Sequence, residues 1–415
     1  MPSILAIQAR EILDSRGNPT IELDLTLAEG ATGRAAVPSG ASIGSREALE
    51  LRDREAAYLG KGVLKAVGTA KTEIFQAVQS KELDQQSLDQ LLLELDGTAM
   101  KSRLGANSIL AVSMAFAVAA AKVAKQPLYR YIADLSGQQP SLPMPILNVM
   151  NGGAHANWTT DIQEYMLFPT KAVKYSEKLR QSVEVFQHLG KLLLKADLST
   201  NVGNEGGFAP SLSSNEQAFE LILEAIEAAG YTAGRDGDFM LGIDAAANEF
   251  FKDGSYQLKR DHTTKTVQEM MAWMEELVQK YPIASLEDPL AEEDWASWAV
   301  LTAQLGDRID IVGDDLLVTN PQYIQRAIQE KSCNTALIKL NQIGTLTETL
   351  QAISLAKNAG WKTIISHRSG ETEDTFIAHL AVGTASVEIK AGAPSRSERT
   401  AKYNELLRIE EEIET

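Results

Sequence analysis

The chain has 415 residues, a formal net charge of −17 and a single cysteine, Cys333. An acidic surface of this kind has no general attraction for nucleic acid or anionic lipid, which excludes nonspecific binding to either. One thiol permits no intrachain disulfide, and the start "MPSILAIQAREILD" lacks a basic segment followed by an apolar block. Both lead to the expectation of a reducing, cytoplasmic setting.

The length exceeds that of one compact domain, so two are expected, one of them a large barrel. The first stretch reads as antiparallel strands. "TIELDLTL" (20–27) alternates strictly, with Ile21, Leu23, Leu25 and Leu27 on one face, between the turns "DSRGNPT" and "AEG". From about 60 to 136 the pattern is helical. It includes "ILAVSMAFAVAAA" (109–121), too short for a membrane span of about 20 residues and rich in alanine, as a buried core helix would be. "SGQQPSLP" (136–143) is a polar connector. It places an N-terminal α+β domain over 1–137 and a second domain over 138–415.

Beyond 143, short apolar runs alternate with helical segments: "PILNVMNGG", "FMLGIDAAA", "IASLEDP", "IDIVGDDL", "TALIKLNQ", "TIISHRSG" and "SVEIKAG". In "GTLTETLQAISLAKNAG", Thr345 and Glu348 suit a capping box. Leu346, Leu350, Ile353 and Ala356 share a face, and Gly360 suits a left-handed end. Strand–helix alternation of this length fits an α/β barrel or a doubly wound sheet. The charges decide for the barrel. Asp244, Glu287, Asp314, Lys339, His367-Arg368 and Lys390 end successive runs about one βα unit apart, and in a barrel those ends converge on one mouth.

Asp244, Glu287 and Asp314 form an oxygen-only set suited to Mg²⁺. Any one of them alone reads as a surface acid; three at successive strand ends do not. Lys339, pointing into a mouth that holds metal ions, has its pKa lowered and suits a general base; taken alone it reads equally as a lysine paired to a metal-site acid. Arg368, Ser369 and Lys390 suit a phosphate or carboxylate, although Arg368 also reads as the partner of Glu371 or Glu373. His155 lies on a Gly-rich loop that can close over a ligand. Gln163 and Glu164 interrupt an apolar run, and Glu205 stands before two glycines in "VGNEGGFAP". A base, an acid, metals and an anion clamp are the parts needed to remove a proton α to a carboxylate and expel a β-leaving group.

Long motifs carry a resemblance to a known family. "REILDSRGNPT" (10–20), "PSGAS" (38–42), "REALELRD" (46–53), "LGANSILAVS" (104–113), "LIKLNQIGTLTET" (337–349), "SHRSGETEDT" (366–375) and "RSERTAKYNELLRIEEE" (396–412) resemble enolase, phosphopyruvate hydratase, nearly end to end. The resemblance implies a (β/α)8 TIM-like barrel whose second strand is antiparallel. It implies reversible dehydration of 2-phospho-D-glycerate to phosphoenolpyruvate, a lyase step of glycolysis. In that role Lys339 resembles the base and Glu205 the acid, assisted by Glu164 and His155. Asp244, Glu287 and Asp314 match ligands of one Mg²⁺, and Ser42 matches a ligand of a second Mg²⁺ that arrives with substrate. Gln163, His367, Arg368, Ser369 and Lys390 match substrate-binding positions. A homodimer through the N-terminal domain, or an assembly of dimers, is implied too.

Three positions depart from the family pattern. Ile43 replaces a threonine, "ANWTT" replaces an acid-and-asparagine loop after His155, and Asn204 replaces an aspartate beside Glu205. To act as an acid, Glu205 is expected to have a raised pKa through burial or through Glu164. A catalytically weak paralogue kept for binding is the alternative reading. A relative of the racemase or muconate-lactonising type is disfavoured, because "IQEYM" stands where those carry a Lys-x-Lys pair.

Overall fold

Strict alternation makes the first sheet. In this computed structural model, which describes residues 1–40 and 46–414, β1 (Ile4–Leu13), β2 (Pro19–Leu27) and β3 (Thr32–Ala36) form an antiparallel meander with β2 in the centre. Ile21, Leu23, Leu25 and Leu27 are fully buried, as the pattern requires. They pack on the helix Ala106–Val123, which lies almost wholly inside the protein. A Cβ on Gly33 would fall 2.0 Å from the Ala115 carbonyl oxygen, so the alanine richness of this helix lets sheet and helix backbones meet closely.

Eight strands close into a barrel: β4 (Met144–Asn151), β5 (Glu164–Pro169), β6 (Phe239–Asp244), β10 (Ile283–Glu287), β11 (Asp310–Gly313), β12 (Thr335–Ile338), β13 (Lys362–Ser366) and β14 (Glu388–Lys390), which returns to β4. β5 runs antiparallel to both neighbours and every other pairing is parallel. The interior is filled by Ile146, Met166, Phe168, Val312, Leu337 and Ile364, so the barrel is a packed core with its chemistry at one rim. The expected closed barrel with a reversed second strand is the observed fold.

A small antiparallel sheet, β7 (Phe251–Lys252), β8 (Ser255–Leu258) and β9 (Thr263–Lys265), projects beyond β6. Its strands are too short to show alternation in sequence. The helix Leu346–Asn358 begins where expected, but only half of the capping box forms. Thr345 accepts from the Glu348 backbone N–H, while the Glu348 carboxylate takes the Thr345 hydroxyl at 2.7 Å. Leu350 is only half-buried, and Thr349 and Ala352 complete the packed face. Gly360 has φ +79°, the left-handed end its position suggested.

The N-terminal domain closes over the barrel rim. Ser39 and Gly370 exchange backbone hydrogen bonds at 2.8 and 2.9 Å. Asp89 accepts from the Thr347 backbone N–H at 2.9 Å and caps a barrel helix from the other domain.

Candidate active site

Parallel strands deliver their last residues to one rim. Asp244 and Glu287 end β6 and β10 and stand in register, Lys390 ends β14, and Asp314, Lys339 and His367 each follow the last residue of their strands. Because β5 is reversed, its first residue, Glu164, reaches the same rim, paired with Asp244. One strand end, one side chain is the rule that makes this site.

Lys390 lies at its centre. Its Nζ is 2.8 Å from both Glu287 oxygens, 3.0 Å from Glu164 and 3.6 Å from Asp244. Burial would discharge this ammonium, but the carboxylates around it outweigh burial and hold its pKa well above the ordinary lysine value. Lys339 pairs with Asp314. Burial pulls the Lys339 pKa down, yet the surrounding carboxylates, Asp314 first and then Glu287, together outweigh it, and the net direction is upward. The expected fall is therefore not what these residues alone produce. It assumed positive charge beside the lysine, and the protein itself supplies a carboxylate.

Glu205, His155 and Glu164 form a second group whose ligand atoms all lie within 4.8 Å of one another. His155 Nδ1 is 3.3 Å and His367 Nε2 3.6 Å from Glu205 Oε1, and the Asn148 amide donates to Glu205 Oε2 at 2.7 Å. Burial pushes Glu205 up, but the groups facing it, His155 first and Lys390 among them, outweigh it and hold its pKa well below the usual range. Burial and the Glu205 charge push Glu164 well above that range. The expectation of a raised pKa thus falls on the other member of the pair, Glu164.

Arg399 sets the His367 tautomer. A guanidinium can only donate, so its 2.7 Å contact makes His367 Nδ1 an acceptor and leaves the ring proton on Nε2, toward Glu205. Burial holds His367 neutral. Arg399 also donates to the carbonyls of Arg368, Ser369 and Asn204, tying two loops together. Arg399 carried no functional signal in sequence beyond its place in a long motif.

Arg368 does pair internally, but with Glu47 of the N-terminal domain (2.9 Å) and with Asn341 (2.7 Å). The Glu371 carboxylate accepts the Arg368 backbone N–H and pairs with Lys402. Gln163 donates to Asp244 at 3.1 Å, and the Ser369 hydroxyl lies 3.4 Å from Arg16. Asn204 engages through its main chain, its N–H on the His155 carbonyl and its carbonyl on Arg399. Its side chain makes no hydrogen bond among the described residues. Gly206 has φ +89°, and a Cβ there would meet Ser395 at 2.8 Å, which accounts for the glycine after Glu205. Ser42 and Ile43 fall in 41–45, outside the described residues.

The donor set fits a hard divalent cation. Asp244, Glu287 and Asp314 are buried carboxylates, and burial with neighbouring acids pushes Glu287 up to about 8 and Asp315 up to about 7. A further close group, Asp288, Asp314 and Asp315, was missed in sequence although the doubled acids "ED" and "DD" are visible there. The free space among the side chains at the mouth is about 20 Å³, room for a water and little more. A larger ligand therefore needs side chains at the mouth to shift.

Fold and site together define a two-domain α/β-barrel protein with a carboxylate-and-lysine mouth. The family model described as "Enolase, C-terminal TIM barrel domain" matches residues 139–415, and that described as "Enolase, N-terminal domain" matches residues 4–132. The chain belongs to the enolase family.

Proposed function

We propose that the protein is a Mg²⁺-dependent hydro-lyase that interconverts 2-phospho-D-glycerate and phosphoenolpyruvate. The observation that carries this reading is the convergence of Lys339 and the Glu164–Glu205 pair on one buried mouth lined by Asp244 and Asp314, with Glu287 held beside it by Lys390. The residues that would hold Mg²⁺ are these three carboxylates, with Ser42 as the family's further ligand. The bound ion supplies positive charge that competes with Lys339 for Asp314 and stabilises negative charge on the substrate carboxylate.

Lys339, once neutral, accepts the C2 proton. The released electron pair forms the C2–C3 double bond as the C3–O bond breaks, and the Glu164–Glu205 pair delivers its shared proton to the departing hydroxyl, which leaves as water. His155 orients Glu205. Arg368, Ser369, Gln163 and Lys390 hold the substrate's anionic groups. A cytoplasmic homodimer joined through the N-terminal domain belongs to the same proposal.

The test is absorbance of phosphoenolpyruvate formed from 2-phospho-D-glycerate with and without Mg²⁺. Formation that needs the metal and falls at least a thousandfold in Lys339→Ala is expected. No product at saturating Mg²⁺ would overturn the reading and leave the non-catalytic paralogue.

A further inference from the structure

Residues 156–159 read Ala-Asn-Trp-Thr, one of the places where the chain departs from its family. Asn157 and Trp158 have φ of +54° and +60°. Asparagine visits the left-handed region readily, whereas a bulky residue there persists only where its surroundings hold it. Those surroundings are specific. The Trp158 N–H donates to the Gly153 carbonyl at 2.8 Å, and its own carbonyl accepts from Arg260 Nη2 at 2.8 Å. Lys259 Nζ lies 4.8 Å from the indole centroid, within cation–π range. The ring itself is half-buried against the main core.

Lys259 and Arg260 belong to the turn between β8 and β9, which the proposed reaction does not otherwise use. Both of their backbone N–H groups donate to the Asp161 carboxylate at 2.9 Å, and the Asp161 N–H donates to Asn215 at 2.8 Å. Hairpin and loop thus grip each other at residues 158 and 161. Between these grips and the acid pair lies His155, with its carbonyl on the Asn204 N–H and its Nδ1 against Glu205.

We propose that Trp158 is a positioning residue. Clamped by Lys259 and Arg260, it holds the loop 152–163 over the mouth, so that His155 stands against Glu205 before substrate arrives. A loop already in place costs substrate no ordering energy, and the apparent affinity falls in proportion when the placed state is less populated.

Lys259→Ala and Arg260→Ala remove the side-chain clamp on Trp158 and leave both the indole and the backbone grip on Asp161, so they separate clamping from simple burial of the ring. In the full-length protein, the Lys259→Ala/Arg260→Ala double variant is expected to speed amide hydrogen exchange of 153–160 at least fivefold. Its KM for 2-phospho-D-glycerate is expected to rise at least fivefold with kcat within twofold. Trp158→Ala behaves alike, and Trp158→Phe, which keeps an aromatic face, stays within twofold of wild type in both measurements. Unchanged exchange in the double variant overturns the clamp, and faster exchange with unmoved KM overturns the positioning role. The kinetic arm rests on the proposed reaction. If wild type makes no phosphoenolpyruvate, that reading fails by itself and the exchange arm decides the clamp. If Trp158→Ala does not fold, the hairpin variants carry the test.

Discussion

At Glu205 and Lys339, residue type was legible and proton placement was not. Each was recognised as an acid or a base from the company it keeps in sequence, but its pKa is set by groups from other strands. Lys339 meets Asp314 from the preceding strand end, and Glu205 meets His155, His367 and Lys390. A buried titratable group at the barrel's other end makes the same point. Glu388 opens β14, two residues from Lys390, so both face the interior at different depths. Its Oε2 has no hydrogen-bond partner among the described residues, and Lys362 is 3.8 Å from Oε1. Burial and Asp310 push it up to about 7. An acid raised in the folded state binds its proton more tightly there than when unfolded, so its contribution to stability is present below pH 4.5 and is lost as pH rises toward 7. Glu388→Gln is therefore expected to be more stable than wild type at pH 8, by about 2 kcal/mol, and to lose the advantage at pH 4.5. Urea unfolding at the two pH values measures this; equal midpoints at pH 8 would contradict it.

Among the elements, long runs with a clear period were readable and contacts between them were not. The β2 alternation and the Ala106–Val123 helix needed no tertiary information, because burial of one face or of the whole element dictates their composition. The helix Leu346–Asn358 was legible in its start and its glycine stop, but its second N-terminal partner was not. Asp89 comes from the helix Gln85–Asp96 of the other domain, is fully buried, and accepts from the Thr347 N–H and hydroxyl at 2.9 and 2.6 Å. Its Cβ periodicity marks it only as a polar residue on a packed face. Asp89→Ala strands these donors and is expected to cost about 2–3 kcal/mol, read as a lower urea midpoint. A change under 0.5 kcal/mol would show that the domains dock without it.

Across the whole molecule, acids gather at the mouth, where burial and then neighbouring carboxylates push Glu164, Glu287 and Asp315 up. A cation that binds the folded chain alone stabilises it by mass action, about 2.7 kcal/mol at a hundredfold excess over Kd. Mg²⁺ is expected to raise Tm in a saturable way that EDTA reverses and Asp244→Asn largely abolishes. Calorimetry that finds no shift would remove the metal from the proposed site. By itself the sequence determined the two-part architecture, the barrel, and which residues end its strands, because period and spacing are local properties written along the chain. Only the tertiary structure decided that Lys390 sits among Glu164, Asp244 and Glu287, that Glu47 reaches across to Arg368, and that burial and the Glu205 charge push the pKa of Glu164 upward. Those outcomes depend on distances between residues far apart in sequence, and Coulomb energies and burial follow those distances.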